Sequence, residues 1–336
     1  MQHPESWRTL ATPGLAVGPG ATLSPLDDGA LLVGGLGADS GGPSVWRLRA
    51  DGAEALTGPE TPSPRVGHVA VNAGPKVCVW GGRAGGRLVA DGACFDSQTA
   101  RWERLPEGPL SPREAAASVG DAEGFVIWGG RDAEGESLSD GARYTLATRQ
   151  WSLLPEGPRP RHRGVLAAIG ARRWVLTGGA GEALALGGDE SMRLDPEAAG
   201  WSRVAQDLEG FPLVSEAPVW VPFDGGLWVI GRAGVFHLDP EGARFVAHGP
   251  GFAGALSEAA VAVSGREAVL AGGRDGAAVR DAVWRLDLTT GAARPGPSLP
   301  FGLAGAAAAR AGATLFVAGG EGASGPNGAV LVLDRR

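Results

Sequence analysis

Arginines recur at a fixed distance along the chain, and their side chains could bind anions. Arg65, Arg113 and Arg161 are separated by 48 residues, and each follows a proline. A second set directly follows pairs of glycines, at Arg83, Arg131 and Arg274. The planar guanidinium group binds carboxylates and phosphates through two parallel hydrogen bonds. The spacing therefore predicts an anion-binding group in several copies of a repeated unit.

The arginines belong to a repeat that spans the whole sequence. Apolar runs ending in glycine pairs recur about every 48 residues, and one degenerate member, Ile230–Gly231, fills the widest gap. The glycine that marks each copy is Gly34, Gly81, Gly129, Gly178, Gly231, Gly272 or Gly319. A sustained period of this length is typical of repeat folds. We therefore expect residues 1–336 to form a single domain of seven units.

Each unit contains short β-patterned runs separated by turn-forming residues. The second copy shows four of them, at Val69–Val71, Val77–Trp80, Ala93–Asp96 and around Trp102. The chain has 57 glycines and 25 prolines, and both residues interrupt helices. The pattern therefore excludes a helical bundle and predicts four short strands in each copy.

The repeat resembles that of the kelch family, in which a β-run ending in Gly-Gly is followed about twenty residues later by a tryptophan. The intervals from Gly82 to Trp102 and from Gly130 to Trp151 fit this pattern. Recurrence of these tryptophans favours a structural role over ligand stacking. The resemblance implies an all-β, seven-bladed kelch-type β-propeller of bacterial, cytoplasmic type, with four antiparallel strands per blade.

The two ends of the sequence predict how the ring closes. The last copy ends with Ala329–Asp334, which corresponds to a third strand. The missing fourth strand matches the N-terminal segment, because Ser6–Leu10 resembles Arg101–Leu105 of the second copy. We expect the segment of about residues 5–11 to complete blade 7 and so to remove an open sheet edge.

The candidate site is one rim of the propeller channel. In an antiparallel meander, the start of the first strand and the end of the second strand lie on the same face. The residues at these points are Arg65, His68, Arg83, Arg113, Glu114, Arg131, Arg161, His162, Arg163, Glu216, Arg232, Glu258 and Arg274. This set is much more basic than the chain, whose net charge is −7. It predicts binding of an acidic peptide, a protein or an anionic small molecule.

Two interpretations of these arginines stay open. Arginines that recur in every clear copy could instead hold loops through their carbonyl oxygens. Residues that break the repeat are the better ligand candidates: His68, Glu114, Arg161, His162, Arg163, Glu216 and Glu258. We expect Arg113→Ala and Arg163→Ala to weaken binding with little change in melting temperature, and a large loss of stability would favour the structural interpretation.

The alternative function is enzymatic. Some kelch propellers isomerise sugars such as sialic acid, and the resemblance here is one of fold. The enzyme would be a metal-independent isomerase, epimerase or related acid–base enzyme. Its substrate would be an anionic sugar or a peptide-derived metabolite. Such an enzyme needs a titratable group near the transferred proton. The candidates are His68, Glu114, His162, Glu216 and Glu258. A deep pocket that joins a glutamate to a histidine would favour this function.

Several other activities are excluded or not expected. The negative charge argues against nucleic-acid binding. A copper-radical oxidase site needs more tyrosines than the single Tyr144. The histidines lack metal-ligand spacing, with His237 interpreted as structural, so we expect no metal and no cofactor.

Cys78 and Cys94 are expected to be buried free thiols, because a disulfide between adjacent strands is geometrically awkward and a cytoplasmic chain keeps its thiols reduced.

The cellular context follows from what the sequence lacks. The N-terminal residues show no basic-then-apolar signal pattern, and the weakly charged stretch 295–320 belongs to a repeat rather than to a membrane span. We expect a cytoplasmic monomer that does not associate with membranes.

Overall fold

Seven four-stranded antiparallel sheets make up the protein. The computed structural model describes residues 5–12, 14–15, 17–35, 43–169, 173–179, 191–195, 200–204, 219–223, 226–231, 234–239, 241, 244–249 and 257–334. The chain divides into two compact units, Met1–Val66 with Gly254–Arg336 (unit 1) and Gly67–Ala253 (unit 2). No helix occurs within the described ranges. The prediction of an all-β, seven-bladed propeller is confirmed.

The N-terminal part of unit 1 contains β1, which belongs to blade 7, and then blade 1. The strand bounds are β1 Trp7–Thr9, β2 Ala21–Leu26, β3 Gly29–Gly34, β4 Val45–Arg49 and β5 Gly52–Ala55. Blade 1 has the strand order β2-β3-β4-β5.

Unit 2 contains four blades, each a simple meander of neighbouring strands. Blade 2 comprises β6 Val69–Ala73, β7 Lys76–Trp80, β10 Gly92–Asp96 and β11 Arg101–Arg104, with the small hairpin β8 Arg83–Ala84 and β9 Arg87–Leu88. Blade 3 comprises β12 Ala117–Gly120, β13 Gly124–Trp128, β14 Gly141–Thr145 and β15 Gln150–Leu153. Blade 4 comprises β16 Val165–Ile169, β17 Arg173–Thr177, β18 Met192–Leu194 and β19 Trp201–Arg203. Blade 5 comprises β20 Val219–Phe223, β21 Gly226–Ile230, β22 Val235–Leu238 and β23 Phe245–Gly249.

The C-terminal part of unit 1 holds the last two blades. Blade 6 comprises β24 Ala260–Ser264, β25 Glu267–Ala271, β28 Val283–Asp287 and β29 Ala293–Pro295, with the hairpin β26 Arg274–Asp275 and β27 Ala278–Val279. Blade 7 comprises β30 Ala307–Ala311, β31 Thr314–Ala318, β34 Val330–Asp334 and the N-terminal β1, with the hairpin β32 Glu321–Gly322 and β33 Gly325–Pro326.

The N-terminal strand closes the last blade, as predicted. In β1, Trp7 lies opposite Leu333 and Thr9 lies opposite Leu331 of β34. The Trp7 indole also donates a hydrogen bond of 2.7 Å to the carbonyl oxygen of Pro297. Strand pairing and this side-chain contact together fix both ends of the chain within unit 1.

The glycine pairs that define the repeat have a conformational cause. In all six pairs both residues have a positive φ, for example 68° and 89° at Gly81 and Gly82. Residues with a side chain rarely adopt this conformation, because Cβ approaches the following carbonyl oxygen. The second glycine of a pair then donates to the next blade: Gly82 N contacts Arg113 O at 2.8 Å, and Gly130 N contacts Arg161 O at 2.9 Å. The motif therefore links neighbouring blades.

The first strands of successive blades contact one another. In unit 2, β6 contacts β12, β12 contacts β16 and β16 contacts β20. In unit 1, β30 contacts both β24 and β2. Small side chains fill these strands, as at Ala167, Ala260 and Ala309, because little space separates the backbones. The first strands therefore form the inner edge of each unit.

Larger apolar side chains fill the space between sheets. Between blades 2 and 3, Phe125 is fully buried and meets Trp151 edge-on, with ring centroids 5.5 Å apart. Burial of such a side chain stabilises the fold by about 1.5–3 kcal/mol. The Trp151 indole donates to Pro106 O at 3.1 Å, and Trp201 donates to Pro155 O at 3.3 Å. These contacts repeat that of Trp7, and they fit the structural interpretation of the tryptophans.

The two cysteines differ from the prediction. Cys78 on β7 lies directly opposite Cys94 on β10, and the two form a disulfide with a Cα–Cα distance of 3.9 Å. In an antiparallel sheet, side chains approach most closely at the pairs that exchange no backbone hydrogen bonds. The expectation of two free thiols is therefore wrong.

Candidate ligand-binding site

A row of residues with left-handed backbone conformation leads into the first strands. In unit 2 this inner row comprises Gly67, Ala115 and Arg163, whose φ values are 65°, 55° and 54°. Ala115 N donates to Gly67 O at 2.8 Å, and Arg163 N donates to Ala115 O at 2.7 Å. In unit 1, Glu258 and Gly305 repeat the arrangement, with a 2.9 Å bond from Gly305 N to Glu258 O. Each row presents equivalent positions of successive blades side by side.

Arg163 and Glu258 occupy positions that suit glycine. Two of the five described members of these rows are glycines, and a residue with a side chain costs about 1–2 kcal/mol in the left-handed region. Both side chains are charged and exposed. Strained residues of this kind concentrate at functional sites. Arg163 and Glu258 are therefore candidates for a functional role.

Glu114 is the centre of an ion-pair cluster in unit 2. Arg83 at the start of β8 contacts it through Nε and Nη2, each at 3.2 Å, and Arg131 contacts it through Nη2 at 2.6 Å. The Glu114 side chain is only 10% exposed, whereas those of Arg83 and Arg131 are 36% and 40% exposed. Arg131 and Glu114 also exchange two backbone hydrogen bonds. We call these three residues the Glu114 cluster.

The local fold explains why this carboxylate sits between two arginines. Arg83 and Arg131 both follow glycine pairs, so they reach the same level of neighbouring blades. A Cβ atom at Gly67 would lie 3.1 Å from the Glu114 Cβ, so the absence of a side chain there leaves room for the glutamate. The cluster thus depends on the left-handed glycine of blade 2 and on the glycine pairs of blades 2 and 3.

Burial and neighbouring charges determine the protonation states of Glu114 and of nearby His162. Burial of the Glu114 carboxyl raises its pKa, but hydrogen bonds from Arg83 and Arg131 outweigh this effect and hold the pKa below its usual value. Burial lowers the pKa of nearby His162, and the positive charges of Arg131 and Arg163 lower it further. At neutral pH Glu114 is therefore ionised and His162 is neutral. Two guanidinium groups, those of Arg83 and Arg131, contact the Glu114 carboxylate, and Arg163 adds a positive charge near His162.

His162 has a hydroxyl partner. Its Nδ1 atom lies 2.9 Å from the Oγ atom of Ser137. The sequence prediction did not include Ser137, because it precedes the third strand of blade 3 and lies 25 residues from His162. Its backbone pairing with Arg131 brings it to the rim.

The equivalent cluster in unit 1 has the opposite charge balance. Arg274 at the start of β26 contacts Glu258 at 2.9 Å and Glu321 at 2.6 Å. Two carboxylates therefore face one guanidinium group in unit 1. The sequence prediction missed Glu321, although it follows a glycine pair at the position that Arg83, Arg131 and Arg274 occupy in their copies. Alignment of the copies could have identified it.

The prolyl-arginines are buried and bind loops. Arg65, Arg113 and Arg161 are at most 2% exposed. Arg113 donates to Ser111 O at 2.9 Å and to Gly129 O at 3.1 Å, and it forms a bidentate pair with Asp140 at 2.6 and 3.0 Å. Arg65 and Arg161 likewise donate to carbonyl oxygens two residues earlier in the chain. This geometry favours the structural interpretation for all three.

The remaining candidates divide into two groups. His68 is 7% exposed and so is buried. Glu216 and Arg232 lie outside the described residues. The structure therefore brings together Arg83, Glu114, Arg131, His162 and Arg163 in unit 2, and separately Glu258 and Arg274 in unit 1.

Within the described ranges, no three histidine, cysteine, aspartate or glutamate side chains are grouped so that they could hold a metal ion. In the same part of the chain, no helix has the length and apolar character that a membrane crossing requires.

The blades, the glycine pairs and the inner rows define a β-propeller built from kelch repeats. The chain belongs to the Kelch-repeat family: the family model described as the KLHDC2/KLHL20/DRC7 Kelch-repeats domain matches residues 67–240. Kelch propellers generally act as scaffolds for protein binding.

One solved structure that this chain resembles is entitled "Structure of YjhT". It is 17% identical, with a TM-score of 0.60, and the match covers 82% of this chain and 95% of that one. This likeness shows the fold alone. No curated protein matches the sequence.

Proposed function

We propose that the protein is a binding module that holds an anionic group of a peptide, a protein or a small molecule against Arg163 and the Glu114 cluster. Arg163 is the observation that carries this proposal. It places an exposed guanidinium group on a strained backbone where blade 2 has Gly67. Among the described residues, no hydrogen bond or ion pair engages this guanidinium group. Its hydrogen-bond donors are therefore available to a ligand.

The Glu114 cluster supports the same function. Glu114 fixes the orientation of Arg83 and Arg131 while both arginines stay more than a third exposed. An arginine held in place loses less conformational entropy when a ligand binds. Because His162 is neutral, it adds no positive charge at pH 7, and the attraction for an anion comes from the three arginines.

The geometry gives less support to the acid–base enzyme. Glu114 and Glu258, two of the carboxylates considered for proton transfer, are both held in ion pairs with arginines. An ion-paired glutamate with a lowered pKa, such as Glu114, is a weak base at neutral pH. Binding is therefore the function that the described residues favour.

Replacement of Arg163 by glycine tests the proposal. Glycine removes the charge and relieves the left-handed backbone, so the variant should melt at the same temperature as the native protein or slightly above it. Ala115→Gly relieves the same strain one blade away without a change of charge, and it is the matched control. We expect Arg163→Gly to weaken binding of an N-acetylated pentaglutamate peptide about tenfold, because a hydrogen bond to a charged group contributes about 1.5–3 kcal/mol.

Isothermal titration calorimetry at low salt measures this effect, with pentaglutamine as the neutral peptide. Equal affinity of Arg163→Gly and Ala115→Gly for pentaglutamate would contradict the proposal. So would equal binding of the acidic and neutral peptides to the native protein.

A further inference from the structure

The Cys78–Cys94 disulfide borders a small cavity in unit 2. This cavity has a volume of about 160 Å³ and lies between the outer strands of blades 2 and 3. The space corresponds to about five water molecules at some 30 Å³ each. It can therefore accept a molecule of a few non-hydrogen atoms, or one end of a longer one.

Only one of the two cysteines faces this cavity. Cys94 is among the lining residues, whereas Cys78 is not and is fully buried. In thiol–disulfide exchange, a thiolate attacks one sulfur of the disulfide, and access decides which sulfur is attacked. Cys94 is itself only 3% exposed, and a thiolate in the cavity would meet it before Cys78.

The cavity wall carries a positive charge. Its charged lining residues are Lys76, Arg104, Arg149 and Glu103. Lys76 Nζ lies 2.6 Å from the Glu103 carboxylate, and Arg149 also pairs with Glu103. The lining side chains thus include three cations and one carboxylate, and Asp96 lies opposite Lys76 on the paired strand. This surplus attracts an anion and stabilises a thiolate near the disulfide.

We propose that this cavity is a site of thiol–disulfide exchange with small thiols that carry a carboxylate group. The thiolate of the ligand attacks the Cys94 sulfur and forms a mixed disulfide. The bond to Cys78 breaks, and its electron pair leaves on the Cys78 sulfur, which then takes up a proton. A second ligand thiolate attacks the ligand sulfur of the mixed disulfide, which releases Cys94. The two ligand thiols are oxidised to their disulfide, and the protein disulfide is reduced to two thiols.

The rate of reduction of the full-length oxidised protein tests this proposal. The probes are 3-mercaptopropionate, which is anionic, and 2-mercaptoethanol, which is neutral. Each rate, followed by intact mass after alkylation, is divided by the rate of the same thiol with an exposed disulfide in a short peptide. This correction removes differences in intrinsic thiol reactivity. We expect the corrected rate to be at least about fivefold higher for 3-mercaptopropionate at low salt and to fall as salt screens the lining charges.

Two lining variants and one control locate the effect. Arg149→Gln and Lys76→Gln should each reduce the preference for the anionic thiol at least twofold. Arg87→Gln removes the same charge from an exposed residue that does not line the cavity, and it should retain the native preference. Equal corrected rates for the two thiols would overturn the proposal. It would also fail if both lining variants kept the native preference, or if protein purified without reductant held two free thiols.

Discussion

Replacement of Arg113 by alanine removes a buried guanidinium group that joins three parts of unit 2. The Arg113 side chain is completely inaccessible to solvent, and its donors contact Ser111, Gly129 and Asp140. Its own carbonyl oxygen accepts a hydrogen bond from Gly82 of the preceding blade. Loss of the side chain therefore weakens a loop that links two blades.

The loss of stability in Arg113→Ala depends on the polar groups that lose Arg113 as a hydrogen-bond partner. A buried polar group without a partner costs about 1–3 kcal/mol. Loss of one member of a fully buried ion pair costs about 3–5 kcal/mol. Asp140 is 50% exposed and regains water, so the lower part of this range applies. We expect the free energy of unfolding to fall by about 2–4 kcal/mol, which corresponds to a decrease in melting temperature of about 4–8 °C.

Differential scanning fluorimetry of tryptophan emission measures this change. Arg163→Ala is the control, because it removes an exposed arginine without such partners and should shift the melting temperature by less than about 1 °C. Arg113→Lys should lose most of the same stability, because a lysine cannot reproduce the planar fork. Native-like melting of Arg113→Ala would refute the structural interpretation and return Arg113 to the ligand candidates.

Three further predictions concern pH and closure of the ring. The lowered pKa of Glu114 means that its ion pairs stabilise the protein above the usual value of 4.5 and are lost as pH falls below it. The difference in melting temperature between the native protein and Glu114→Gln should therefore shrink in acid. Burial and the neighbouring charge of His248 lower the pKa of His237. Its neutral form thus stabilises the fold above pH 6.5, so His237→Gln should lose less stability than the native protein between pH 7 and pH 5. Deletion of residues 1–10 removes β1 and exposes the edge of β34, so size-exclusion chromatography should show aggregation. Trp7→Ala keeps this strand and should elute like the native protein, with a lower melting temperature.

The repeat predicts most of the fold because each copy meets the same steric demand. Both glycines of a pair adopt positive φ, so residues with a side chain rarely replace them. The regular spacing of the pairs therefore predicts the number of blades. The unpaired third strand at the C-terminus and the matching segment around Trp7 predict the closure for a similar reason. A lone sheet edge must find a partner.

Other features depend on distances that a linear pattern does not contain. Spacing placed Cys78 and Cys94 on adjacent strands, but the choice between thiols and disulfide required their Cα separation of 3.9 Å. The burial of Arg113 likewise depends on Asp140, which lies 27 residues away. Glu321 was missed because it occupies a position at which three other copies have arginine.

The distribution of the arginines separates folding from binding. An arginine that recurs at the same point of several copies, such as Arg113, binds the same kind of loop carbonyl in each, because each copy must solve the same packing problem. Arg163 occurs once, on a backbone conformation that costs about 1–2 kcal/mol for any residue but glycine. The equivalent positions of other described blades hold Gly67, Ala115 and Gly305, none of which is charged. The proposed binding function is therefore better tested at Arg163, whose replacement should affect folding less than replacement of Arg113.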